Sequence, residues 1–141
     1  RQGLTLKSVA ITLIIDGKRK DEISGSILFT HFGVSGPLVL NLSGKVIDAL
    51  LNKRKVELLL TMADGTDLRI PITGFRPIEK AMVTRGGVSL KEIDPQTMES
   101  RILKGLYFCG EMIDIAGMTG GYNLQAAFST GYLAGESAAR G

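Results

Sequence analysis

The stretch 105-GLYFCGEMIDIAGMTGGYNLQAAFSTGYLAGESAAR-140 decides how the C-terminal half of the chain is read. Leu106 to Cys109 is a short, uninterrupted apolar run ended by Gly110, the pattern of a strand buried on both faces. Glycines at 110, 117, 120 and 121 fill the loop that follows; they permit positive φ angles and leave no side chain between backbone and ligand. Gly120 and Gly121 sit where a helix opens, so its first turn would present unpaired N–H groups and the positive dipole end above the strand. Inside that helix Ala127, Gly131 and Gly135 recur every four residues as a smooth ridge, with Leu124, Phe128 and Tyr132 as the bulky row beside it. An interior glycine costs roughly 1 kcal/mol relative to alanine, so the ridge predicts close contact between helix and sheet. The same order also describes a plain β-to-α crossover with a tight turn, and spacing alone leaves both readings open.

Upstream, Val9 to Ile15 and Ile23 to Thr30 are β-rich and joined through an Asp16-Gly17 turn, which predicts a hairpin. Ser35 is the expected N-cap and Pro37 the first-turn residue of a helix over LVLNLSGKVIDALLN, whose Leu38, Leu42, Val46, Ile47, Leu50 and Leu51 fall on one face. That helix is expected to cover the sheet. Val56 to Met62 and Leu68 to Thr73, joined through Asp64-Gly65, predict a second hairpin. Residues 1–75 therefore read as a small α+β domain, and residues 76–141 as a second region. In the latter, Ala81 to Thr84 is expected as a short strand, Arg85-Gly86-Gly87 as a tight turn, and Val88 to Glu92 as another extended piece.

At 141 residues with 44% hydrophobic content, the chain is long enough for an ordinary core. One cysteine excludes an internal disulfide and one histidine leaves no zinc-like cluster, so a reducing cytoplasm is the expected setting. No stretch reaches the roughly 18 to 20 apolar residues that span a bilayer, and no signal-peptide layout opens the chain. Net charge is +3. The basic runs Lys18-Arg19-Lys20, followed at once by Asp21 and Glu22, and Lys53-Arg54-Lys55 have no interleaved aromatics and read as solvated loops, with a nucleic-acid or phosphate surface as the alternative, so no nucleic-acid partner is expected.

GLYFCGE and GGYN, preceded by KAMVTRGGVSLKEIDPQTMESR, resemble the C-terminal part of the YhiN/BaiN-like bacterial FAD-dependent oxidoreductases. RQGLTLKSVAITL and ILFTHFGVSGPLVL are similar to the same family's β-rich inserted domain. The resemblance implies an α+β fold: a small β-rich insert domain with a covering helix over 1–75, on the substrate side, followed over 76–141 by the C-terminal strand, loop and helix of a Rossmann-like FAD domain. It implies FAD as cofactor, hydride transfer through the flavin, NAD(P)H and a small-molecule substrate as partners, and no membrane. The family's N-terminal G-x-G-x-x-G unit has no match here, so a missing N-terminal FAD-binding segment is expected as a further partner, with FAD bound weakly or not at all by this chain alone. Between Val56 and Phe75 the family carries a longer stretch than the VELLLTMADGTDLRIPITGF found here. The competing class is a non-enzymatic α+β interaction module that binds an anionic ligand through its basic loops and glycine-rich turn.

Through the resemblance, Glu111 corresponds to the acidic residue near the ribityl chain or phosphate of FAD, where a carboxylate can accept hydrogen bonds from ribityl hydroxyls; it reads also as a cap for backbone N–H groups of the loop. Gly110 lies beside it. Gly120, Gly121, Tyr122, Asn123 and Leu124 would lie under the isoalloxazine ring, where helix amides stabilise negative charge. Thr84, Gly86 and Gly87 correspond to a loop beside the flavin, with Arg85 a weaker candidate for a phosphate or carboxylate. Tyr122 and Asn123 read equally well as a staple and cap for the helix, and Gly86-Gly87 as a plain turn. His31 is the one general-acid candidate, and equally a structural histidine hydrogen-bonded at a strand end. Cys109, without a resolving thiol, reads as a small apolar group in a buried strand.

Overall fold

The computed structural model describes residues 3–140; Arg1 and Gln2 of the first family word, and Gly141, lie outside the described residues. The chain is α+β and divides into two compact units, one ending at Phe75 and the other beginning at Arg76.

The first unit is a five-stranded antiparallel sheet with one helix. β1 (Thr5–Ile15) and β2 (Lys18–Thr30) form a hairpin, and the short β3 (Gly33–Ser35) folds back along β2. α1 (Pro37–Leu51) then leads to β4 (Val56–Thr61) and β5 (Asp67–Ile72), giving the order β3-β2-β1-β4-β5. Asp16 and Gly17 hold φ angles of 50° and 76°, the paired positive values of the two-residue turn whose twist matches its flanking strands. Period-two alternation puts Ile11, Leu13 and Ile15 of β1 and Val56, Leu58 and Leu60 of β4 in one buried cluster, joined by Ile27 of β2 and by Leu38, Leu42 and Ala49 of α1. Gly25 seats the helix: a β-carbon there would lie 3.1 Å from the Leu38 side chain. β5 closes the far edge with Pro71 and the exposed Asp67 and Arg69, which discourage a further strand from pairing.

Two expectations for this unit are corrected. Ser35 is not the N-cap; it pairs with Leu28 in the β2–β3 ladder, and Gly36 takes the cap position with no side-chain bond, leaving Pro37 to start the helix. Leu51 is 67% exposed, because the buried face of α1 runs through Leu38, Leu42 and Ala49 and the helix ends just beyond it. That end is a Schellman motif. The N–H of Arg54 donates to the Ala49 carbonyl and that of Lys53 to the Leu50 carbonyl, both at 2.9 Å, with Lys53 left-handed at φ 56°.

The second unit contains α2 (Tyr122–Arg140), 3₁₀ turns over Ile78–Lys80, Leu90–Glu92 and Gly110–Met112, and loops tied by single bridges. Ile93, Met98, Ile113 and Ala134 form its buried cluster, with Val88, Tyr107, Phe108, Cys109 and Leu133 packed against it. The expected strand Leu106 to Cys109 does not form. Tyr107 bridges Glu99 and the Phe108 amide reaches the Met98 carbonyl at 3.0 Å, but among the described residues no strand runs alongside, so Leu106 stays exposed and Cys109 half-buried. Ala81 to Thr84 is irregular rather than a strand. From Val88 to Glu92 only Val88 is bridged; Ser89 caps the 3₁₀ turn over Leu90–Glu92, its Oγ accepting the Lys91 amide. The small-residue ridge of α2 is in contact only in part. Ala127 lies against Gly110, whereas a β-carbon at Gly131 or Gly135 would meet nothing within 4 Å. Leu124, Phe128 and Tyr132 are 64%, 70% and 73% exposed.

Candidate functional site

The structure brings the 84–88 loop and the loop after Gly110 side by side. Val88 and Ile113 form a parallel bridge: the Val88 amide donates to the Met112 carbonyl at 2.8 Å and the Asp114 amide to the Val88 carbonyl at 3.0 Å. This contact requires glycine at 87, where a β-carbon would lie 2.6 Å from the Met112 carbonyl oxygen and within 3.0 Å of two further backbone atoms. Gly86, with φ 102°, has open space above it. The pairing carries Thr84 to Glu111, and the hydroxyl donates to the carboxylate at 3.3 Å, leaving Glu111 otherwise exposed. Thr84, Gly86, Gly87 and Glu111 are thus neighbours although 27 residues separate the ends of the pair.

Gly110 is built differently from the expectation. Its φ of 61° opens the 3₁₀ turn, but its amide is not available to a ligand, because it donates to Thr130 Oγ1 at 3.0 Å while that hydroxyl donates to the Ala126 carbonyl at 2.7 Å. Thr130 was not singled out from the sequence. Its one signal is a hydroxyl at helical spacing among the inward small residues Ala126, Ala127 and Ala134. Thr130 anchors the loop to α2.

At the other end of the loop, Asn123 clasps Gly117 from both sides, its Oδ1 accepting the Gly117 amide at 2.7 Å and its Nδ2 donating to the Gly117 carbonyl at 3.1 Å. The Asn123 side chain therefore closes the loop. The first backbone bond of α2 runs from the Gln125 amide to the Gly121 carbonyl, so the amides of Gly121, Tyr122, Asn123 and Leu124 precede the helical ladder. Gly120 and Gly121, with φ 125° and 91°, are exposed, as are the side chains of Tyr122 and Leu124. An open helix start with the dipole behind it suits a partly negative, planar group.

His31 lies apart from these residues in sequence, at the exposed turn between β2 and β3. It stacks edge-on against Phe32 with ring centroids 4.9 Å apart. Among the described residues no group of three or more His, Cys, Asp and Glu could hold a metal ion, and no helix is long and apolar enough to cross a membrane.

The similarities to known proteins support a flavin oxidoreductase family. The chain belongs to the HI0933-like protein Rossmann domain family, which matches residues 4–137, in agreement with the YhiN/BaiN-like words of the sequence. Over 61 residues, 43% of the chain and 15% of the relative, it is 54% identical to a 3-dehydro-bile acid delta(4,6)-reductase of Clostridium scindens. Ribosomal RNA dihydrouridine synthases of Escherichia coli and Haemophilus influenzae are 30% and 27% identical over 90% and 96% of the chain. The chain spans less than half the length of each, 46% and 47% for the two synthases. Those two alignments run to 182 and 190 residues, longer than the 141-residue chain, so dozens of positions in these relatives have no counterpart here.

Proposed function

We propose that this chain is the flavin-contacting and substrate-side part of an FAD-dependent oxidoreductase that saturates a carbon–carbon double bond. The observation that carries the reading is the juxtaposition of Thr84, Gly87 and Glu111 in a chain whose family match runs from residue 4 to 137. Bound FAD would supply hydride transfer, with NAD(P)H as the electron source. The residues present fit such a group: the amides from Gly121 to Leu124 offer donors and a positive field to the pyrimidine edge of the ring, and Glu111, oriented by Thr84, accepts from ribityl hydroxyls. Gly86 gives the ring room to approach the backbone. In this reading residues 1–75 form the substrate-side insert domain and 76–141 the flavin side, completed by an N-terminal FAD-binding segment that packs on the exposed row of Leu124, Phe128 and Tyr132.

The substrate class follows the relatives' names, which describe reduction of a bile acid and formation of dihydrouridine. Because the RNA-acting relatives align along 90% or more of the chain and the bile-acid reductase along 43%, we place a base within RNA above a free small molecule as substrate.

The reading is tested by expressing the complete open reading frame and recording flavin absorbance. Yellow protein that loses flavin on Glu111→Gln supports it; colourless protein without an upstream glycine fingerprint ends it. The 141-residue chain alone should leave FAD fluorescence unquenched at low micromolar concentration.

A further inference from the structure

We propose that the end of the sheet formed by the β1–β2 turn and the C-terminus of α1 is a docking surface for the phosphate backbone of RNA. This rests on the RNA branch of the function above. Lys18-Arg19-Lys20 and Lys53-Arg54-Lys55 are far apart in sequence, yet the fold brings them to one edge. Lys18 pairs with Ile15, and Ile15 pairs on its other side with Val56, so two strand spacings, about 10 Å, separate the runs. Asp16 fastens them: its carboxylate accepts Arg54 Nε at 2.7 Å and the Lys55 amide at 2.9 Å, and its own amide donates to the Lys55 carbonyl.

A register shift between Leu13 and Ile14 makes Lys20 the extra residue of a bulge, since Leu13 faces Asp21 and Ile14 faces Arg19. The bulge sends Lys20 to the same side as Asp21, into an open cleft of about 570 Å³ lined also by Ile15, Lys45, Asp48 and Arg54. Two of the acids here are already committed, Asp16 to Arg54 and Asp21 to Lys45 at 2.7 Å. Lys18, Arg19, Lys20, Lys53 and Lys55 are exposed and form no ion pair among the described residues.

Structural reasons account for only part of this cluster. The helix dipole favours cations at the α1 C-terminus, which covers Lys53 and Arg54 but not the three on the turn. Lys53 holds the left-handed position where glycine is the usual choice. Neither run nor the cleft carries an aromatic, so the surface suits backbone phosphates, without base stacking.

The test is fluorescence anisotropy of a labelled RNA hairpin with the 141-residue chain, over a salt series from about 50 to 200 mM. Binding that weakens steeply with salt is expected. Lys18→Glu with Lys55→Glu should lower affinity at least about ten-fold and reduce the salt slope by about 2, while Lys91→Glu with Lys104→Glu in the second unit changes it less than about two-fold. Melting curves read by circular dichroism confirm that both double variants are folded. No binding by the wild type, equal binding by the Lys18/Lys55 variant, a loss confined to the second-unit variant, or displacement of the RNA by anionic vesicles at matched charge overturns the proposal. Flavin is not read here, so failure leaves the oxidoreductase reading standing, and a colourless full-length protein whose RNA binding still depends on Lys18 and Lys55 defeats only that reading.

Discussion

Replacing Gly87 with alanine should cost the second unit about 4 kcal/mol, enough to unfold a unit of its size. The backbone there holds φ 144°, which an alanine tolerates at a strain of about 1–3 kcal/mol. The new methyl would also lie 2.6 Å from the Met112 oxygen, 2.9 Å from the Ile113 carbonyl carbon and 3.0 Å from the Asp114 nitrogen, all backbone atoms that no rotamer change can move aside. The two loops must separate, losing the bonds from Val88 to Met112 and from Asp114 to Val88, each worth about 0.5–1.5 kcal/mol. Gly86→Ala is the control, because its φ of 102° brings comparable strain but nothing lies within 4 Å of the added methyl. Intrinsic fluorescence isolates this unit: the chain has no tryptophan, its three tyrosines are Tyr107, Tyr122 and Tyr132, and Tyr107 packs on the second core cluster. Urea titration of tyrosine emission should show Gly86→Ala folded with a lowered midpoint and Gly87→Ala unfolded without denaturant. Equal midpoints for the two variants would refute the claim that the 84–88 loop is locked on residues 112–114.

Other consequences are independent of that contact. Leu60, fully buried between β1 and β5, should cost about 3–5 kcal/mol as alanine, seen in the circular dichroism of the sheet with tyrosine emission unmoved at low denaturant. Thr130→Val removes the acceptor of the Gly110 amide and should destabilise the second unit by about 1–3 kcal/mol, whereas Thr130→Ser, which keeps the hydroxyl, should recover most of that. The Arg54 side chain first and the Lys55 amide second hold the Asp16 carboxyl below its ordinary value. A carboxylate depressed on folding contributes above its unfolded value and loses that contribution as pH falls through the folded one. Asp16→Asn should therefore flatten the decline in first-unit stability below about pH 4, measured by urea midpoints across an acid series.

The first unit was largely legible because its signals are local and agree with one another. Alternation in Val9 to Ile15 and Val56 to Met62, a two-residue Asp-Gly turn, and apolar spacing from Leu38 to Leu50 each specify an element that packs against another within 75 residues. What escaped were cooperative details: β3, whose three residues are too few to show a period, and Ser35, a good cap residue already committed to a ladder. The meeting of the two basic runs was hidden for a similar reason. Register, and not composition, decides which loops share an edge, and the bulge that redirects Lys20 leaves no mark in the sequence.

The second unit departs from its sequence pattern in one consistent direction. Leu106 to Cys109 is patterned for burial on two faces, Gly131 and Gly135 for a close neighbour, and Leu124, Phe128 and Tyr132 for an apolar surface, yet in this chain the run is half-buried, the glycines meet nothing and the row is exposed. Four buried side chains hold the unit, against eleven in the main cluster of the first. In each of these three patterns the residues are more apolar or smaller than their surroundings require. Under the proposed function all three patterns answer to one cause, the remainder of an FAD-binding domain lying against α2. Supplying that segment should bury Phe128 and Tyr132 together and quench their response to iodide or acrylamide. If Tyr132 stays as accessible in the full-length protein as in this chain, the row has another purpose and the flavin-side assignment of residues 76–141 fails with it.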